Sequence, residues 1–291
     1  MQPQAAILTG VPPHASFLFL NLRHGRDAAA AARALTAPAH PEHLLIGFGA
    51  TLLSALGAEI PGLRPIPALS ANGVSSPRTP SDLLLRVAGE DPGEVMHRER
   101  AALAALGDWE VADQVNGFMY GPSRDLSGYE DGTENPTGER AVEAAFQQAG
   151  AGLAGSSVVA VQRWIHDMDA LEAMSEPQRD NIIGRERRSN EELEAAPETA
   201  HVKRTAQEDF EPEAFVVRRS MPWRDHRGAG LVFVSFAATL DPFEAQLRRM
   251  MGLDDGLVDG LFSFTRPVSG GAWWCPPLAD GRLDLRACLS A

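Results

Sequence analysis

Cysteine is scarce in this chain of 291 residues, which has only Cys275 and Cys288. They form no Cys-x-x-Cys pair, so neither a zinc site nor a disulfide framework is indicated, and two reduced thiols are expected. Long apolar runs are missing as well. No stretch reaches the roughly 18 consecutive apolar residues of a membrane-spanning helix. The opening Met1-Gln2-Pro3-Gln4 lacks the basic start and apolar core of a secretory signal. A cytoplasmic protein is the expectation. Basic charge is in deficit, with 26 Lys and Arg against 39 Asp and Glu and a formal net charge of −13. A general nucleic-acid or anionic-membrane role needs a concentrated basic surface, and both are excluded as expectations. No glycine-rich phosphate loop follows any candidate strand, which argues against a nucleotide-binding doubly wound sheet.

What is present is a grammar of strands followed by capped helices. Residues 17–22 form an apolar run of strand length, and Asp27 can cap the Ala-rich helix after it. Residues 43–48 read as strand and 51–56 as a short helix. Residues 83–87 read as strand, followed by Asp91-Pro92 opening a helix to about residue 106, with proline at the first helical position where no N–H is missed. The unit recurs, with strands at 158–161 and 231–236 and a helix opened by Asp241-Pro242 through residue 251. Phe243, Leu247, Met250 and Met251 fall on one face of that helix. Ser175 and Gln178 have capping-box spacing, and Gly184 can close the helix they start. Residues 123–138 read as loop. The repeated unit divides the chain at about residue 140, into an N-terminal half over 1–140 and a C-terminal half over 141–291.

The loop contains Gly128-Tyr129-Glu130-Asp131-Gly132-Thr133-Glu134-Asn135-Pro136, turn formers packed around a carboxylate. A calcium loop fails on spacing. Counting from Asp131, the sixth position is Pro136 where glycine is needed, and the twelfth is Val142 where a bidentate glutamate is needed. This stretch resembles the GxxDG signature of the dye-decolorising peroxidases. Residues 200–205 (Ala-His-Val-Lys-Arg-Thr) and 217–222 (Val-Arg-Arg-Ser-Met-Pro) follow in the expected order and resemble the segments carrying that family's proximal histidine and distal arginine. Residues 164–169 and 183–185 are also similar to the family's second half. The similarity runs from about residue 15 to residue 278 and is closest to the bacterial B-type branch.

The resemblance implies an α+β fold of two ferredoxin-like halves, with antiparallel sheets packed together and helices outside, of the dimeric α+β barrel superfamily type. It implies haem b with one iron per chain, held mainly in the C-terminal half with the Asp131 loop reaching across. His201 is then the axial iron ligand. A ligating histidine usually donates its other N–H to a carboxylate or carbonyl, and Glu208, Asp209, Glu211 and Glu213 lie nearby in sequence. Asp131 is the distal acid/base. Since a free aspartate titrates near 3.9, such a carboxylate stays ionised in mild acid, and a mildly acidic optimum is expected. Arg218 is the fixed positive charge that holds peroxide and stabilises the departing oxygen, while strand alternation turns Arg219 away. Ser220 stands where some relatives carry asparagine and, two residues beyond Arg218, is expected to face the same side, where its hydroxyl could order a distal water. Gly132, Thr133, Glu134 and Asn135 are expected around the haem edge, and Arg185 either at a haem propionate or as a cation at a helix end. His166 is expected to serve packing or to support the residues that touch the haem, with direct haem contact the lesser alternative, and the pair Trp273-Trp274 to serve packing or electron relay.

The activity implied is reduction of hydrogen peroxide to water, with a ferryl haem then drawing electrons from small organic donors such as dyes and phenols. Alternatives on the same fold are a chlorite dismutase-like or iron-releasing enzyme, or a haem carrier or sensor without turnover; Asp131 with Arg218 favours peroxide chemistry. A structural turn in an oligomeric interaction domain is the alternative without haem. Related proteins self-associate, so a homo-oligomer is expected, and the tail over 282–291 carries no signal for docking into a protein shell.

Overall fold

A computed structural model describes residues 2–36 and 40–289. Eight antiparallel strands build its centre: β1 (His14–Leu22), β2 (Leu44–Gly49), β3 (Leu83–Gly89), β4 (Trp109–Phe118), β5 (Ser157–His166), β6 (Met221–Asp225), β7 (Gly228–Ala237) and β8 (Gly271–Cys275). The first four lie in the order β4-β1-β3-β2 and the last four in the order β8-β5-β7-β6. Each is the same four-strand arrangement, so the repeated unit legible in the sequence is a repeated ferredoxin-like topology. β2 pairs with β8 at Gly49↔Trp273 and Phe48↔Trp274, and β4 meets β6 at Gly117↔Trp223. Those two seams close the sheets into one eight-stranded barrel.

The central strands of each half are largely apolar on both faces because both faces are covered. On β1, Ala15 and Phe17 point into the barrel beside Val159, Val161, Val232, Val234 and Trp273. Leu18 and Leu20 point outward onto Ala31 and Ala32 of the helix Ala28–Ala34. On β5 the alternation continues, with Val158 and Ala160 outward against Phe243, Leu247 and Met251 of the helix Asp241–Met250 and the residue after it. Gln162, Trp164 and His166 share that outward parity. The outer face of the second sheet therefore presents a polar and aromatic row towards its covering helices.

Capping follows the sequence signals closely. Asp27 accepts from the Ala30 N–H, Asp91 accepts from the Gly93 and Glu94 N–H groups, and Ser175 forms a capping box with Gln178. Gly184 ends that helix in the left-handed region at φ 93°. Asp241 sits inside the first turn of its helix, with Leu240 at the N-cap position. β4 was not evident in the sequence, because it has no clean apolar alternation: Glu110, Val111 and Ala112 are exposed in succession beside a register shift against β1. Trp273 and Trp274 are fully buried, and the Trp273 indole N–H donates to the Ser81 carbonyl at 3.0 Å. They are packing residues of the barrel seam.

β5 and β7 approach so closely at Gly230 that an added Cβ would meet the Trp164 carbonyl oxygen at 2.1 Å. Gly230→Ala is expected to cost on the order of 1–3 kcal/mol through strand displacement. Calorimetry should show a melting temperature lower by several degrees; an unchanged transition would contradict the tight register.

Candidate active site

A deep cavity with mainly apolar walls lies between the outer face of β5 and β7 and the helical segments that follow them. It measures about 890 Å³ including its mouth, and all its lining residues fall between Asp125 and Thr265. Leu231, Phe233, Phe243, Leu247, Met250 and Phe264 make its walls apolar. His201, Asp131 and Arg218 all reach it, although they come from a short helix, a loop and a two-residue strand.

His201 opens the helix His201–Arg204. Its Nδ1 lies 2.7 Å from Oδ2 of Asp259, whose side chain is fully buried. A carboxylate can only accept here, so Nδ1 is the protonated nitrogen and Nε2 is left available to a metal. Asp259 is 58 residues downstream, and none of the four carboxylates close to His201 in sequence takes this position. The Asp259 backbone and second oxygen are themselves fixed, by the Met250 carbonyl at 2.8 Å and the Leu261 N–H at 2.9 Å.

Asp131 and Arg218 form a loose pair, with Oδ1 3.7 Å from Nε and both side chains mostly buried. Arg218 belongs to the strand Val217–Arg218, hydrogen-bonded along β7. Arg219 turns away and donates to the Leu8 and Thr9 carbonyls, as alternation requires. Asn135 fastens the two halves of this pair together. Its side-chain oxygen accepts from the Arg218 N–H at 2.7 Å, and its amide donates to the Arg218 carbonyl at 3.1 Å. Gly132 is left-handed at φ +80°, and a Cβ there would stand 2.8 Å from that amide nitrogen. Glycine is therefore needed for the clamp to reach the strand.

Thr133 and Glu134 stand behind the wall, whereas Glu130 is part of it. The Glu134 carboxylate pairs with Arg185, and its carbonyl accepts from Gln207 at 2.7 Å. Asn190 donates to Thr133 Oγ1 and to Glu130, each at 3.1 Å. Arg185 is occupied by Glu134, Glu192 and the Asn190 carbonyl, so its guanidinium braces the loop. Ser220 lies outside the main cavity, in a narrow crevice that Asp131 also borders. Residues 219 and 220 interrupt the strand, which breaks the alternation expected from Arg218, and the Ser220 hydroxyl is turned to the Val234 N–H at 3.4 Å.

Further polar groups line the cavity, His166, Asp125 and Tyr129 among them. His166 Nε2 lies 2.9 Å from Asp125 Oδ1, and its Nδ1 lies 2.7 Å from Thr265 Oγ1. Burial works to raise the Asp125 carboxyl, but the hydrogen bond and charge of His166, with two bonds at Ser127, outweigh it and hold the group below its ordinary value of 3.8. Tyr129 lies at the cavity wall and donates its hydroxyl to Asp180 at 2.5 Å. Desolvation, then Asp180, push this phenol well above the ordinary tyrosine value. Nothing in the spacing of His166 and Asp125, 41 residues apart, marks them as partners.

No cluster of three or more His, Cys, Asp or Glu suited to a metal ion exists among the described residues. A single histidine with a free ring nitrogen at the wall of an apolar cavity suits a metal that brings its own remaining ligands, as haem iron does. Both cysteines are buried free thiols, and no helix among the described residues is long and apolar enough to cross a membrane.

Comparison with known proteins meets this geometry. The family model "Dyp-type peroxidase, C-terminal" matches residues 122–280, the segment that supplies every cavity residue. A dye-decolorizing peroxidase of Mycobacterium tuberculosis (strain ATCC 25618 / H37Rv) is 33% identical over 224 residues, 74% of this chain and 67% of that protein. One from Brevibacterium linens is 31% identical over 285 residues, 91% of this chain and 78% of that protein. A variant of DypB from Rhodococcus jostii RHA1, solved in complex with heme, superposes with a TM-score of 0.86 at 27% identity, covering 94% of this chain and 96% of that one. The fold is shared with solved Dyp-type peroxidases. The chain belongs to the Dyp-type peroxidase family.

Because the Asp125 carboxyl is held below 3.8, the stability it contributes is full above that value and lost as pH falls through its lower, folded-state value. Asp125→Asn is expected to lower the melting temperature at neutral pH and to flatten its decline below about pH 3.8. Parallel pH–stability curves for the parent and the variant would rule this out.

Proposed function

We propose that the protein is a haem b peroxidase, with one haem per chain, that reduces hydrogen peroxide to water and oxidises small organic donors such as dyes and phenols. The observation that carries this reading is the convergence of His201–Asp259 and Asp131–Arg218 on one apolar cavity. When bound, the haem supplies the iron that peroxide binds and the oxidising equivalents that donors consume. His201 offers Nε2 to the iron, and Asp259 holds the ring and makes it a stronger donor. Asp131 would take a proton from peroxide and return it to the departing oxygen, work that positioned proton carriers accelerate by about 100- to 10,000-fold. Arg218 places a fixed positive charge where negative charge develops as the O–O bond breaks, and the apolar walls strengthen it by excluding water. Asn135 keeps that charge at a constant distance from Asp131 through the Arg218 backbone. The same reading takes the protein as a cytoplasmic homo-oligomer.

Two experiments test these roles. His201→Ala, supplied with haem during expression, is expected to fold but lose most of its haem or its axial-histidine spectrum; full loading with the parent spectrum would reassign the ligand. Asp131→Asn keeps size and hydrogen bonding but removes the proton carrier, and Arg218→Leu removes the charge. In stopped-flow mixing with peroxide, matched for haem content, both should slow the change in the visible spectrum, Arg218→Leu more strongly. Parent rates in both variants at every pH would dismiss the distal pair, and loss confined to Arg218→Leu would leave Asp131 a positioning role.

A further inference from the structure

Tyr129 stands apart from the other aromatic groups of the cavity. It lies two residues before Asp131, and only 4% of its surface is exposed. Its ring lines the cavity, and its hydroxyl leaves the cavity wall to meet Oδ1 of Asp180 at 2.5 Å. Asp180 belongs to the helix Glu176–Ile183 and is half-buried, so the hydrogen bond leads from the cavity towards the outer layer of the protein. The same Asp180 oxygen accepts the Arg187 N–H at 3.2 Å, which makes it an acceptor for both groups. The aromatic alternatives lack this partner. Trp164 donates its indole N–H to the side-chain oxygen of Gln162 at 3.2 Å, an amide that takes up no proton, and Phe233, Phe243 and Phe264 have none to give. The other tyrosine of the chain, Tyr120, is 47% exposed and lies outside the main cavity.

A phenol in this position loses an electron with difficulty unless its proton leaves with it, because a phenol radical cation is a very strong acid. An adjacent carboxylate removes that obstacle. Burial and the Asp180 charge suppress prior ionisation, so the phenolate is not the starting species.

We propose that Tyr129 is a redox-active residue of this peroxidase, passing one electron to the peroxide-oxidised haem while its phenolic proton moves to Asp180. The O–H bond of Tyr129 breaks and an O–H bond forms on Asp180 Oδ1. The haem gains one electron, and Tyr129 becomes a neutral phenoxyl radical. An organic donor then returns one electron to Tyr129, Asp180 returns the proton, and the net result is one electron moved from donor to haem. This inference rests on the haem peroxidase reading above and adds to it a specified first electron source and a proton acceptor.

The test uses the haem-loaded protein mixed with one equivalent of hydrogen peroxide and no donor, followed by visible spectroscopy and freeze-quench electron paramagnetic resonance. The parent should give a tyrosyl radical signal that Tyr129→Phe abolishes and Tyr120→Phe retains, with the initial oxidation of the haem unchanged in all three. Asp180→Asn should slow radical formation by roughly 100-fold, the low end for loss of a positioned proton carrier, and should reduce the solvent deuterium isotope effect. If peroxide leaves the haem spectrum of the parent unchanged, the peroxidase reading falls and this inference with it. If the haem is oxidised normally but no tyrosyl signal forms, or the signal persists in Tyr129→Phe or vanishes in Tyr120→Phe, the inference alone is overturned. A readout without haem is ultraviolet titration of the Tyr120→Phe apoprotein: the remaining tyrosine should ionise well above 10, the ordinary value. Ionisation at the ordinary value would remove the Asp180 contact on which the proton step depends.

Discussion

Polar side chains that face an apolar cavity must find their partners inside the protein, since an unpaired buried donor or charge costs far more than a paired one gains. Four carboxylates meet that requirement here. Asp259 holds His201, Asp125 holds His166, Asp180 receives Tyr129, and Asp131 stands beside Arg218. The first three make short contacts of 2.5–2.9 Å that fix their partners. The fourth, at 3.7 Å, is loose, which leaves both members able to engage a ligand. In the proposed function, the tight pairs orient their partners and the loose pair acts on the ligand.

The barrel makes this arrangement possible by turning its second sheet outward. β5 gives one row of side chains to the barrel interior and the other to the cavity, so the register that buries Val159 and Val161 also sets Gln162, Trp164 and His166 at the site. The loop between the halves is tied to the second sheet through Asn135, and to the segment over 185–192 through Glu130, Thr133 and Glu134. Gly132 permits the tie through Asn135. A motif that looks like a surface turn is thus a bracket between the Asp131 carboxylate and the Arg218 guanidinium, the pair proposed to act on peroxide.

Much of this was legible in the sequence where the signal is local. The capping residues Asp27, Asp91 and Ser175 and the closing Gly184 are short-range hydrogen-bond patterns, and the structure contains them. The convergence of Asp131, His201 and Arg218 followed from motifs in a familiar order. The partners that orient the site were hidden because they depend on tertiary contact. Asp259 reaches His201 across 58 positions, and Arg185 is neutralised by Glu134 across 51, neither marked by any periodicity. Ser220 shows the limit of alternation as a guide: two residues outside regular strand are enough to send a side chain into a different crevice.

The central claim is that His201, oriented by Asp259, is the iron ligand. The vibration between iron and histidine nitrogen in the reduced, haem-loaded protein, read by resonance Raman spectroscopy, tests it most directly. With Asp259 accepting from Nδ1, the ligand is electron-rich and the frequency should be high, falling in Asp259→Asn, whose amide accepts more weakly. A frequency identical in the parent and the variant, with haem content and folding preserved in both, would contradict the account.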